Sequence, residues 1–67
     1  MDNFGKRLKL LRLSRELSLE ELAQATGLAV ATIKRFERRG TRPSLPTVKK
    51  LADKLNILPN VLTGKMI

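Results

Sequence analysis

Cations make up most of the residues in this chain that could do chemistry, and five of them fall within nine positions. The five are Lys34, Arg35, Arg38, Arg39 and Arg42. Glu37 is the one acid among them. Positions 34, 35 and 38 share one arc of a helix, because successive helical residues are about 100° apart. Such an arc can donate hydrogen bonds to phosphate oxygens and to guanine O6 and N7. The alternative is an ordinary solvated helix end, where cations complement the helix dipole.

The charge of the whole chain favours a polyanionic partner. Its 67 residues include 14 Lys and Arg against 6 Asp and Glu, which gives a formal net charge of +8. Nucleic acid is the first candidate and an anionic membrane surface is the second. The two aromatic residues, Phe4 and Phe36, are expected in the core, so no row of exposed rings is available for unstacked bases. Double-stranded DNA is therefore the expected partner.

The composition also argues against several classes of protein. Because the chain has no Cys, we expect no disulfide and no thiolate metal site. The sequence indicates no metal, no cofactor and no small-molecule ligand, and we expect none. The few carboxylates fall on separate predicted helix faces, so we expect no catalytic residues and no enzyme. No apolar run approaches the roughly 18 residues of a membrane span. We expect a cytoplasmic, nucleoid-associated protein without membrane contact, folded as a single domain over residues 1–67 with a frayed tail at 65–67.

Helical periodicity and end signals predict three helices in the first part of the chain. The first covers residues 3–15 and buries Phe4, Leu8 and Leu11. Ser18 and Glu21 have the spacing of a capping box, which places the second helix at residues 19–26. Gly27 ends that helix in a left-handed conformation. The third helix covers residues 29–38, and the short connection between the second and third helices predicts a helix-turn-helix.

Two further helices complete the predicted fold. Gly40 and Pro43 mark a loop, and Ser44 is a suitable N-cap for a fourth helix over residues 45–55, with Pro46 in its first turn. A short fifth helix begins at Pro59. The predicted fold class is thus all-α, a compact arrangement of five helices with the helix-turn-helix at the second and third.

These landmarks resemble the Cro and phage-repressor (XRE-like) helix-turn-helix family. The shared positions are Leu22, Ala23, Gly27, Ile33 and Phe36. Residues 18–27 are similar to the second helix and turn of that family, residues 32–38 to its recognition helix, and residues 43–45 and 51–55 to its fourth helix. The resemblance covers about residues 4–64. It implies a lambda-repressor-like fold and a sequence-specific DNA-binding transcriptional regulator, most simply a repressor.

The resemblance also implies a set of DNA-binding residues. The third helix would lie in the major groove, with Val30 and Ala31 near thymine methyl groups and Lys34 or Arg35 at guanine. The start of the second helix, at Leu19, would face phosphate through its backbone N–H groups. The expected DNA-binding residues are Leu19, Val30, Ala31, Thr32, Lys34, Arg35, Arg38, Arg39 and Arg42.

Two other contacts are implied by the same resemblance. Arg12 of the first helix and Glu37 of the third are expected to form a partly buried ion pair; the alternative is two separately solvated side chains. The C-terminal region is expected to form a homodimer that places two recognition helices about 34 Å apart on a pseudo-palindrome. The expected dimer residues are Leu58, Val61, Met66 and Ile67.

Departures from the family pattern leave alternatives open. Members often carry Gln at the position of Leu19 and polar residues at positions 29–31. The same fold could then be a protein-interaction module that docks through Leu19, Val30 and Ala31, or the DNA-binding part of an antitoxin. The glycine that usually follows the recognition helix comes one position later, at Gly40. Arg39 is therefore either left-handed or an extra helical residue.

Overall fold

The computed structural model describes residues 4–39 and 43–64, and all regular structure in these ranges is helical. The helices are α1 (Phe4–Ser14), α2 (Leu19–Thr26), α3 (Val30–Arg39), α4 (Leu45–Lys54) and α5 (Pro59–Thr63). The predicted all-α class with five helices is confirmed. The bounds within the described ranges differ from the predicted ones by one residue at most. Arg39 is helical, so α3 is the longer of the two alternatives.

The turn between α2 and α3 is fixed by local hydrogen bonds. The Ser18 hydroxyl accepts from the N–H of Glu21 at 3.0 Å, and the Glu21 carboxylate accepts from the N–H of Ser18 at 2.7 Å, which confirms the capping box. Gly27 has a φ of 76°, a left-handed conformation that a glycine adopts without a Cβ clash. The Thr26 hydroxyl donates to the carbonyl of Leu22 and accepts from the N–H of Leu28. These bonds set the direction in which α3 leaves the turn.

One apolar core joins all five helices. Its largest fully buried side chains are Phe4, Leu8, Leu22, Ile33, Leu51, Leu55, Leu62 and Val48. The rings of Phe4 and Phe36 meet edge to face, with centroids 6.5 Å apart. Each fully buried Leu or Ile contributes about 1.5–3 kcal/mol relative to an exposed one. Because Ile33 and Phe36 are both buried, the core decides which side of α3 faces outward.

The backbones of α1 and α3 approach each other closely at Gly5. A Cβ atom added there would lie 2.5 Å from the carbonyl oxygen of Phe36 and 2.6 Å from that of Glu37. These are backbone atoms, so a larger residue would force the two helices apart. The glycine allows α3 to rest directly on the backbone of α1, a contact that the sequence pattern did not predict.

Candidate nucleic-acid interface

The outward side of α3 carries a shallow, open depression lined by cations. Its lining residues are Ala31, Lys34, Arg35, Arg38 and Arg39, all of them exposed. The structure therefore brings together five of the nine expected DNA-binding residues on one face. We call these five residues the α3 face. Arg42, expected to continue it, lies outside the described residues.

The charges of the α3 face are not neutralised within the described part of the chain. The one ion pair in residues 4–39 and 43–64 joins Arg12 to Glu37. Glu37 is also the one acidic residue of α3. The four cations of the α3 face consequently direct a positive potential into solvent, which attracts a polyanion over a distance of about a Debye length, roughly 10 Å at 0.1 M salt.

The ion pair between Arg12 and Glu37 lies beneath this surface. Arg12 Nε donates to Glu37 Oε2 at 2.8 Å and Arg12 Nη2 donates to Oε1 at 3.2 Å. The side chains are only 8% and 6% exposed, which excludes two separately solvated groups. Arg12 Nη1 also donates to the carbonyl of Leu17 at 2.8 Å. One guanidinium thus connects α1, the segment before α2, and α3.

Three of the remaining expected residues lie at the edge of the α3 face. Leu19 and Val30 are half-buried and pack against the core, and Thr32 is half-buried as well. Of the three residues in the alternative docking surface, only Ala31 is exposed. An apolar docking site made of Leu19, Val30 and Ala31 would therefore offer little free surface to a partner.

Lys9 is a candidate contact that the sequence pattern missed. A second depression lies between α1 and α3 and is lined by Lys9, Arg12, Leu19, Lys34, Glu37 and Arg38. Lys9 is exposed and approaches the α3 cations from α1. The sequence held one signal: Lys9 precedes Arg12 by three residues, and residues three apart share a helix face.

Exposed large apolar side chains occur on three other parts of the described surface, including Leu45 at the start of α4. Leu58 and Val61, expected in a dimer, are 67% and 46% exposed. Met66 and Ile67, expected beside them, lie outside the described residues. Leu10 and Leu13 on α1 are also exposed, at 62% and 51%. The α5 region thus presents apolar surface to solvent.

Within residues 4–39 and 43–64, no group of acidic, His or Cys side chains is arranged to hold a metal ion. None of the helices in the described part of the chain combines the length and the apolar character needed to cross a membrane.

Residues 8–62 match the sequence model of a protein family described as Helix-turn-helix. The chain is 42% identical over 59 residues to the HTH-type transcriptional repressor RghR of Bacillus subtilis (strain 168), covering 85% of this chain and 43% of the repressor. It is also 42% identical over 59 residues to the uncharacterized HTH-type transcriptional regulator RghRB of the same organism. The chain spans less than half the length of these relatives, 43% and 42%.

Structure comparison gives matches over most of the chain. The restriction-modification controller protein C.AhdI of Aeromonas hydrophila has a TM-score of 0.84 and 40% identity, covering 90% of this chain and 91% of C.AhdI. SinR, a master regulator for biofilm formation solved in complex with DNA, has a TM-score of 0.83 and 32% identity, covering 88% and 95%. These matches confirm the expected fold of five helices, with the helix-turn-helix at α2 and α3.

Proposed function

The chain belongs to the helix-turn-helix family of the Cro and phage-repressor type, a family of DNA-binding transcription regulators, and we propose that it is a repressor that recognises a specific DNA sequence. The observation that carries this proposal is the α3 face. Its cations are exposed, lack acidic partners within the described residues, and sit on a helix whose orientation is fixed by the core and the turn. The repressor RghR and the DNA-bound SinR among its relatives support the same function.

In the proposed complex α3 lies in the major groove. Ala31 contacts a thymine methyl group, and Lys34 or Arg35 donates to guanine O6 and N7. Arg38 and Arg39 contact phosphate, and Arg42 extends the same contact along the backbone. Leu19, Val30 and Thr32 border the groove from the edge of the α3 face, where the N–H groups at the start of α2 face a phosphate.

We propose that two copies bind together. Leu58 and Val61 provide exposed apolar surface, with Met66 and Ile67 as further contributors. A dimer that binds two half-sites one turn of B-DNA apart would place its two α3 helices about 34 Å from each other. A two-fold dimer of this kind reads a pseudo-palindrome.

The remaining expectations follow from this function. We propose that residues 1–67 act as a single DNA-binding domain that works next to the nucleoid in the cytoplasm. We propose that the chain is not an enzyme, because Glu37 is paired with Arg12 and no group of three or more acidic side chains in the described residues could hold a metal ion. No cofactor is needed for the contacts described.

Selection of bound sequences from random duplex DNA tests the proposal. The protein is mixed with the pool at two salt concentrations, and the retained fragments are sequenced. We expect an enriched pseudo-palindrome and an affinity that falls steeply with salt, because phosphate contacts release counterions. Retention without any enriched sequence would overturn specific recognition. No retention at low salt would overturn DNA binding altogether.

A further inference from the structure

The depression between α1 and α3 differs from the α3 face in how it is built. Three cations besides Arg12 line it: Lys9 comes from α1, and Lys34 and Arg38 come from α3. Its remaining lining is the Arg12–Glu37 pair and the half-buried Leu19. Two helices thus contribute charge to one concave surface, whereas the α3 face is formed by one helix alone.

The electrostatics of this depression favour an anion. Glu37 is the only acid in its lining, and both of its carboxylate oxygens already accept from Arg12. Lys9, Lys34 and Arg38 form no ion pair in the part of the chain that the structure describes. Three positive charges therefore remain for an external group.

The start of α2 adds backbone donors at the same place. Ser18 caps the N–H of Glu21, which leaves the N–H groups of Leu19 and Glu20 without a partner inside the helix. An anion above Leu19 would meet these dipoles as well as the lysines. The Leu19 side chain cannot donate a hydrogen bond, so side-chain donors must come from elsewhere.

We propose that Lys9 binds a phosphate of the DNA backbone in this depression and thereby joins α1 to the DNA interface. The proposal rests on the proposed function, since the anion is a DNA phosphate. Lys9 is well placed because α1 is fixed against α3 by the close contact at Gly5 and by the Arg12–Glu37 pair. When α3 enters the major groove, α1 moves with it, and the Lys9 ammonium group comes close to the phosphate.

Lys9 contributes affinity without reading sequence. It does not line the α3 face, where base edges would be contacted. Removing a phosphate contact of this kind weakens DNA binding by a similar factor on every sequence. It also makes the slope of log affinity against log salt concentration shallower by about one. These two properties separate Lys9 from Arg35, which is proposed to read a base.

The experiment compares Lys9→Ala with Lys54→Ala in duplex binding. Lys54 is an exposed lysine at the end of α4 that lines neither depression, so it is a control for the loss of one charge. Affinity for a random-sequence duplex and for the selected operator is measured by fluorescence anisotropy at several salt concentrations. Thermal melting of each variant checks that the fold is intact.

We expect Lys9→Ala to weaken binding to both duplexes by roughly five- to tenfold at 0.1 M salt. We also expect it to reduce the slope of log affinity against log salt concentration by about one. Lys9→Arg should retain most of the binding, and Lys54→Ala should behave like the parent protein. Equal effects of Lys9→Ala and Lys54→Ala would overturn the role of Lys9 while leaving DNA binding intact. Loss on the operator alone would make Lys9 a base contact. If the parent protein binds neither duplex at low salt, the DNA function and the Lys9 contact are both refuted.

Discussion

The arginines of α1 and those of α3 differ in what their guanidinium groups contact. Arg7 and Arg12 of α1 each donate to a main-chain carbonyl of another segment, Arg7 to Leu62 and Arg12 to Leu17. Arg15, in the turn directly after α1, donates in the same way to Leu55. The α3 arginines are exposed and line the α3 face: Arg35, Arg38 and Arg39. The same side chain therefore holds the fold together on one helix and remains available to a ligand on the other.

The contacts made by Arg7 and Arg15 have a common physical cause. Carbonyl groups at the ends of helices lack partners inside the helix. Leu55 is the C-cap of α4, and Leu62 lies in the last turn of α5. A guanidinium has five donors in a rigid fork, so it can hold such a carbonyl while its aliphatic stem covers the core. High net charge alone thus says little about binding: its meaning depends on whether each cation already has a partner.

Of the changes considered, removing the guanidinium of Arg12 should cause the largest loss of stability. Arg12→Ala leaves the Glu37 carboxylate buried without its partner, which costs about 3–5 kcal/mol of unfolding free energy. Chemical denaturation followed by circular dichroism measures the loss. The matched control is Arg39→Ala on α3, which should change stability by no more than about 0.5 kcal/mol.

Arg12→Lys keeps the experiment informative if Arg12→Ala does not fold. Lysine retains the charge but cannot make the bidentate contact with both carboxylate oxygens, so an intermediate loss is expected. If Arg12→Ala and Arg39→Ala cost the same, the buried pair would not distinguish the two helices, and the comparison would fail.

A methyl group at Gly5 should have the next largest effect. In Gly5→Ala the new Cβ meets the carbonyl oxygens of Phe36 and Glu37, which are backbone atoms and cannot turn away. We expect a loss of about 3 kcal/mol, the upper part of the range for overpacking. Thermal melting is the measurement.

Gly27→Ala is the control for Gly5→Ala. At Gly27 an added Cβ has no neighbour within 4 Å, and only the positive φ opposes the substitution. A smaller loss of about 1–2 kcal/mol is therefore expected. A Gly5→Ala variant as stable as Gly27→Ala would show that α1 and α3 can separate at little cost, and that α1 does not hold α3 rigidly.

The features that were predicted from sequence depend on residues close together in the chain, whereas those that were missed depend on how separate helices pack. The capping box at Ser18 and the turn at Gly27 depend on residues within a few positions, so their types and spacing were sufficient. The tight contact at Gly5 and the place of Lys9 depend on how α1 crosses α3. Periodicity gives the buried face of each helix, but it does not give the distance between two helix axes. Resemblance supplied the Arg12–Glu37 pair, which spacing alone did not predict.

Replacing Arg35 tests whether an α3 arginine serves DNA binding alone, and it should have the smallest effect on stability. Arg35→Ala removes an exposed side chain and should leave the unfolding free energy within about 0.5 kcal/mol of the parent value. If Arg35 donates to guanine, binding to the selected operator weakens by about 1–3 kcal/mol and the preference at one base pair relaxes. Anisotropy on the operator and on a random duplex measures both effects. An equal loss on the two duplexes would reduce Arg35 to a phosphate contact. A loss of stability above 1 kcal/mol would mean that an α3 arginine also supports the fold, because its stem covers part of the core.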